Sequence, residues 1–366
     1  TMLSPQVILT WLEENVNGMR RSRMKTLAHI VPAAMLLGGV ALHALGRGMR
    51  NGTTAKHNIK RVERFVGNTK VESMALAQGV FQAFAPKQGL VWVLADWTDV
   101  ANGKLLVFAL PCNGRSIPFF TQVVPKQAGD GALIRAENEA LEKLAAITRI
   151  RSNVVIVADR GFGNQRWLGA VVRHGFHFVQ RLSCVFFADT EKYIGTLRDL
   201  NVRRGPRVCD WGHGTLGEDQ AITGRLVTAC DPKAQEPWYL LTDLKDLPAA
   251  EVVDAYRRRW WIETLFRDKK NRDWGLGLSS VHLDDYRRYE RLFYIVALAY
   301  ILLSAHGAAA EAEGFDRGLK ANTRKTRVLN LLRIGYHFIR DKGEDIDYAV
   351  AALYQLLYLQ KAPNWG

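Results

Sequence analysis

Cysteine is scarce and scattered. Cys112, Cys184, Cys209 and Cys230 form no CxxC pair, so neither a disulfide framework nor a zinc ribbon is indicated. Cys209 with His213 could open a metal site, but no second pair at ligand spacing follows, and reduced thiols in a cytosolic protein are the simpler reading. Long hydrophobic runs are missing too. Val31 to Leu42 is interrupted by Pro32 and a Gly pair, and Leu292 to Ala305 falls short of the roughly 20 residues a bilayer requires. Both read as core helices, and no membrane partner is expected. No apolar block with a cleavage site follows the N-terminus, which argues against a secretory signal. Repeats and low-complexity tracts are absent.

Acidic residues are outnumbered: 36 Asp and Glu face 50 Lys and Arg, for a net charge of +14. This favours a polyanionic partner, nucleic acid or an acidic membrane surface. At 366 residues and 48% apolar content the chain can bury one large domain and a smaller one.

The first 69 residues have a helical pattern. Val7, Ile8, Trp11 and Leu12 form one stripe, and a second segment, TTAKHNIKRVERFVG from Thr53, sets cations around Ile59, Val62 and Phe65. Either a small DNA-binding module of helix-turn-helix type or a basic helix packed on the main domain would satisfy this pattern. Arg20, Arg21, Arg23, Lys56, Lys60 and Arg61 are DNA contacts by composition alone.

Past a helix near Val71 to Ala85 the pattern turns to strands. Leu90 to Ala95 is a buried strand ending at Asp96, and Leu105 to Leu110 and Ile117 to Val124 follow through the turns Asn102-Gly103 and Asn113-Gly114. Ala132 to Ile150 is a strong helix. Val154 to Ala158 is a second buried strand, ending at Asp159, with a helix from Gln165 to His174 and a fifth strand from Phe176 to Leu182 behind it. Three strands, helix, strand, helix, strand is the order of an α/β ribonuclease-H-like core, a mixed five-stranded sheet with helices on both faces. Two of its strands carry Asp at their carboxyl ends, the edge where active sites of open α/β sheets collect. Ser183 to Leu247 reads as a β-rich insertion. The chain then returns to helix, with Tyr289 to Ser304, Thr323 to Phe338 and Ala349 to Leu359 as the last segments. The expected divisions are residues 1–69, a helical DNA-binding region; 70–182, the first part of the core; 183–247, the insertion; and 248–366, the catalytic helix and C-terminal helices.

The run from Tyr256 to Lys270, YRRRWWIETLFRDKK, lacks Pro and Gly and reads as one helix of about four turns. At roughly 100° per residue, Tyr256, Arg259, Glu263 and Lys270 fall within about 60° of one another, and Ile262, Leu265 and Phe266 line the opposite, core-facing stripe. A lone carboxylate among cations suits a metal ligand beside a polyanion, or equally a solvated ion pair with Arg259 or Arg267. Were Asp96, Asp159 and Glu263 to converge, their repulsion would call for a divalent cation, and all-oxygen ligands suit Mg²⁺ or Mn²⁺. A pair of such ions drives in-line displacement at phosphorus.

Tyr256, Arg259, Glu263 and Lys270 meet all spacings of the Y-(2)-R-(3)-E-(6)-K signature, and the chain resembles the bacterial DDE insertion-sequence transposases of the family numbered four. LADWTD around Asp96, VADRGF around Asp159 and FRDKKNRDWGLGL from Phe266 are similar to that family's motifs, in order, over residues 40–310. The resemblance implies a cut-and-paste transposase in which Asp96, Asp159 and Glu263 bind two Mg²⁺ or Mn²⁺. Water nicks the transposon end, the 3′-hydroxyl forms a hairpin on the other strand, and the reopened end joins target DNA. It further implies that Tyr256, Arg259 and Lys270 grip phosphates, with Arg160 and Arg267 beside them in the DNA-contacting set. Trp238 matches a base-stacking Trp of the family, though a strand-end core aromatic is an equal reading, and Tyr239 is the substitute. The implied partners are the terminal inverted repeats, target DNA and a second copy of the chain in a synaptic dimer, in the cytoplasm at the nucleoid. A catalytically silent DNA-binding regulator and a structure-selective nuclease are the alternatives. A silent relic would be expected to have lost a carboxylate, and all three stand.

Overall fold

The structure, a computed structural model, describes residues 5–149, 153–217, 222–230, 236–270, 276–278, 281–324 and 326–342. Five helices lead: α1 (Pro5–Asn15), α2 (Arg21–Leu37), α3 (Leu42–Gly48), α4 (Ala55–Gly67) and α5 (Ser73–Phe84). Helix α4 has a sharply amphipathic sequence, with Val62, Phe65 and Val66 inward and Lys56, Lys60, Arg61 and Arg64 exposed. It crosses α3 so closely that a Cβ on Gly46 would lie 2.4 Å from the Ile59 Cα. Apolar residues of these helices, Leu12, Leu27, Ile30 and Val62 among them, belong to the same continuous core as the sheet that follows.

Strands β1 (Val91–Asp99), β2 (Gly103–Cys112) and β3 (Arg115–Pro125) form an antiparallel meander. Its second turn takes Asn113 and Gly114 at positive φ, the conformation that Asn-Gly adopts at least cost. Helix α6 (Asp130–Thr148) leads to β4 (Val154–Ala158), which lies parallel to β1, and α7 (Gln165–Arg173) leads to β5 (His177–Leu182), parallel to β4. Asn164 caps α7, accepting a 3.0 Å hydrogen bond from the Trp167 amide. Every residue of β4 is buried, so both faces of the sheet are covered there.

The sheet does not stop at five strands. It runs β3-β2-β1-β4-β5 and then continues through β10 (Trp238–Thr242), β9 (Ile222–Cys230), β8 (Gly205–Leu216), β6 (Phe187–Thr190) and β7 (Tyr193–Thr196), ten strands among the described residues. The expected insertion is therefore an antiparallel extension of the same sheet. The reason lies in β10, whose outer neighbour is β9 and whose inner one is β5, with Leu240 opposite Arg181 and Leu241 opposite Gln180. An unpaired β5 would have left a row of backbone groups without partners.

Helices α8 (Ala249–Arg257) and α9 (Trp260–Lys270) follow, then α10 (Arg288–Ala312) and α11 (Leu331–Lys342). Helix α10 reaches 25 residues, longer than its apolar run foretells. It has the length and apolarity to cross a bilayer, but it is buried as the central core helix, against α2, α11 and β3. The helix expected from Thr323 begins only at Leu331, because the Asn330 side chain caps it through the Arg333 amide at 2.9 Å. The one expected over Ala349 to Leu359 lies outside the described residues.

Candidate active site

Parallel pairing of β1 with β4 ends at Ala95 opposite Ala158. The next residue on each strand is an aspartate, so Asp96 and Asp159 are brought side by side at a strand separation of about 4.8 Å. Asp96 is not at the end of its strand, as its apolar run suggests. Strand β1 continues to Asp99, held by β2 as far as Lys104, while β4 stops at Ala158. Asp96 thus lies where the parallel ladder ends and an antiparallel one goes on.

After Asp159 the chain makes a 3₁₀ turn through Arg160–Phe162, anchored by Phe162 packing on Trp167 with ring centroids 4.7 Å apart. Gly163 lets this turn lie against β5, since a Cβ there would meet the Arg181 carbonyl oxygen at 2.9 Å. The buried Gln180 side chain donates to the carbonyl oxygens of Asp159 at 2.6 Å and Arg181 at 2.8 Å, tying the two strand ends together.

The helix expected as one piece from Tyr256 to Lys270 is two. Between α8 and α9 the amides of Arg259, Trp261 and Ile262 bond three residues back, to the carbonyls of Tyr256, Arg258 and Arg259. In such a 3₁₀ turn residues three apart eclipse, so Tyr256 and Arg259 project together toward the strand ends, with Glu263 one turn further on.

All three carboxylates reach one guanidinium. Arg259, 4% exposed, donates from Nη1 to Asp96 Oδ2 at 3.1 Å, and its Nη2 lies 3.7 Å from Asp159 Oδ2 and bonds Glu263 Oε1. Tyr256 donates its hydroxyl to Asp159 Oδ1 at 2.8 Å, and the Trp97 amide donates to Asp96 Oδ1 at the same distance. Arg181, which the sequence reading missed, stands 3.7 Å from Asp159 Oδ1. The signal for it was a charged residue near the carboxyl end of a core strand, β5. Glu236 bridges Arg181 at 2.5 Å and Arg160 at 3.1 Å.

The carboxyl groups respond differently to these surroundings. Burial pushes Asp96 up to about 6, against the pull of Arg259 and the Trp97 amide and with the push of Asp159 and Glu263. At Asp159 burial acts in the same sense, but Arg259, the Arg160 amide, Tyr256 and Arg181 together outweigh it and hold the carboxyl below its ordinary range. Burial opposes the charge on Arg259, yet the acidic groups around it raise its affinity for the proton.

Trp238 is buried, its ring set at a steep angle to Tyr256 with centroids 5.0 Å apart. The exposed aromatic is Trp260, 53% accessible and 5.8 Å from the Arg259 guanidinium. The helical period already sets Trp260 near 40° from Tyr256, beside the charged face and outside the apolar stripe, a signal that the sequence reading did not use. Arg267 is exposed, reaches Thr264 on its own helix at 3.5 Å and contacts none of the carboxylates. Lys270 closes α9, and its side chain lies outside the described atoms.

Residues 110–302, more than half of the chain, match the family model described as the transposase DDE domain. The chain belongs to the DDE transposase family. The protein is accordingly a DNA-cleaving and DNA-joining enzyme that depends on divalent metal. The match takes in Asp159, Glu263 and the whole Tyr256–Lys270 run and begins after Asp96, which joins the group through the β1–β4 register. No curated protein matches the transposase chain.

Proposed function

We propose that Asp96, Asp159 and Glu263 are the catalytic triad of this transposase, that it is a cut-and-paste enzyme working through a hairpin intermediate, and that residues 70–182 and α9 form a ribonuclease-H-like core. The observation that carries the reading is the meeting of the three carboxylates on Arg259, from two adjacent parallel strands and a helix far along the chain.

Among the described residues no three His, Cys, Asp or Glu side chains stand close enough together to hold a metal ion as they are, because the carboxylates are gathered around Arg259. The donor set nonetheless fits: hard carboxylate oxygens without sulfur or imidazole suit Mg²⁺ or Mn²⁺. Asp96, Asp159 and Glu263 would hold the metal, which when bound activates the attacking oxygen and offsets charge on the leaving one. Two ions are the number that the family resemblance implies.

The remaining roles fall to the chain's own groups. The Tyr256 hydroxyl orients Asp159. Arg160 and Arg181, now shared with Glu236, are cations beside the centre that would hold phosphates flanking the scissile one. Arg267, exposed on α9, extends this cationic track, and the resemblance assigns Lys270 to the same phosphate contacts. Trp260 offers an exposed ring face for an unstacked base at the turn of a hairpin. The exposed cations of α4 in residues 1–69 would grip the terminal repeat, and a dimer would carry two ends at once.

The test is incubation of the full chain with Mg²⁺ and a duplex carrying the element's own terminal repeat. Nicking at the 3′ end, a hairpin and strand joining are expected, and Glu263→Gln, Asp96→Asn and Asp159→Asn should each abolish all three. Cleavage untouched by Glu263→Gln would overturn the assignment.

A further inference from the structure

Arg259 is where a metal ion would be expected to sit, and its contacts suit a temporary occupant. It is one positive charge shared by three carboxylates, so the group it holds together remains short of positive charge. Its guanidinium is buried, and the Nε hydrogen has no partner, which leaves the seat incompletely satisfied. On its flanks are the rings of Tyr256 at 5.9 Å and Trp260 at 5.8 Å. The second of these is exposed, so the side chain has a π-lined way out toward solvent.

We infer that Arg259 is an exchangeable counter-ion, a positioning residue that preassembles Asp96, Asp159 and Glu263 before metal binds and gives up these carboxylates to incoming divalent cations. This rests on the reading of the three carboxylates as the metal site. A buried charge stripped of its partners is costly, so the displaced guanidinium needs a new acceptor, and DNA phosphate beside the centre is the one the reaction supplies. Metal and DNA then assist one another: whatever factor phosphate capture of Arg259 adds to metal affinity, metal must add to the grip on DNA. The same exchange keeps the carboxylates occupied while no DNA is present.

The competition can be read without catalysis. Mn²⁺ binding to the full chain, free of DNA, is measured by titration calorimetry or electron paramagnetic resonance for wild type, Arg259→Lys and Arg259→Gln. Arg259→Gln should bind Mn²⁺ about tenfold more tightly or better, a difference of about 1.4 kcal/mol, with Arg259→Lys between it and wild type. Unchanged or weaker binding in Arg259→Gln would overturn the exchange, since a residue that only props the carboxylates open would weaken metal binding when lost. Should Arg259→Gln fold poorly without metal, its melting temperature must climb more steeply with Mn²⁺ than that of wild type, and an equal or smaller climb refutes the inference. Adding Asp96→Asn or Glu263→Gln to Arg259→Gln separates the two readings. If these leave Mn²⁺ binding intact, the carboxylates are not the metal site; if they weaken it while Arg259→Gln alone matches wild type, only the exchange is wrong.

Discussion

Asp96 offers a perturbation whose sign and size follow from its surroundings. Its carboxyl is pushed up to about 6 from an ordinary 3.8, with burial the largest cause, and the side chain is only 20% exposed. The folded chain therefore binds this proton more tightly than the unfolded one does. Stability from this group is fully present below about pH 4 and is lost as the pH rises toward about 6. A rise of about two units corresponds to roughly 3 kcal/mol spent holding Asp96 charged at neutral pH. Asp96→Asn removes the charge and keeps an acceptor for the Trp97 amide. The lost attraction to Arg259 is already contained in the raised value. In metal-free buffer at neutral pH the variant should thus be more stable than wild type by up to about 3 kcal/mol. Unfolding entropy of about 2 cal/mol/K per residue makes this roughly 4 °C in melting temperature for a chain of this length. The gap should close at about pH 4, where both side chains are neutral. Asp159, held below its ordinary range, has the opposite sign, so Asp159→Asn should lower the melting temperature at neutral pH. Scanning calorimetry with EDTA across this pH window decides the matter. An Asp96→Asn variant that melts below wild type at neutral pH, or a gap that ignores pH, would refute the reasoning.

Tyr256→Phe deletes a hydrogen bond to a charged carboxylate and should cost about 1.5–3 kcal/mol in denaturant titrations, together with slower cleavage. Glu236→Gln releases Arg160 and Arg181, so non-specific duplex binding should tighten several-fold at low salt and fall more steeply as salt rises; fluorescence anisotropy reads both. Trp260→Ala, at an exposed position, should leave the melting temperature nearly unchanged while slowing hairpin formation by a barrier of about 1–3 kcal/mol, the worth of one base–aromatic stack. Gly307→Ala would drive a Cβ to within 1.9 Å of the Leu331 carbonyl oxygen at the α10–α11 crossing. A loss of about 3 kcal/mol from forced separation of the two helices is expected, measurable as a lowered midpoint in urea.

Much of the catalytic half of the molecule is legible from residue order because local rules write it. Apolar runs, Asn-Gly turns and Ala-rich stretches mark β1 to β5 and α6 where they occur, and the strand order brings Asp96 beside Asp159. The spacing of Tyr256, Arg259 and Glu263 survives the break between α8 and α9, because the 3₁₀ turn rotates Tyr256 and Arg259 onto one line instead of separating them. Helix ends are less legible: Asn330 stops the basic pattern before Leu331 from starting a helix, and β1 overruns its apolar run because β2 still has hydrogen bonds to offer.

The sequence by itself determined the elements, the two aspartate-bearing strands and the chemistry of a carboxylate set on a basic, DNA-directed chain, since these depend on side-chain period, turn residues and charge within short windows. Only the tertiary structure decided that β10 joins β5 to make one sheet of ten strands, that Trp238 is buried against Tyr256, and that Arg259 stands among Asp96, Asp159 and Glu263. Each of these is a choice among partners distant in the chain. Burial and charge balance make that choice once the elements have packed, and no local pattern encodes it.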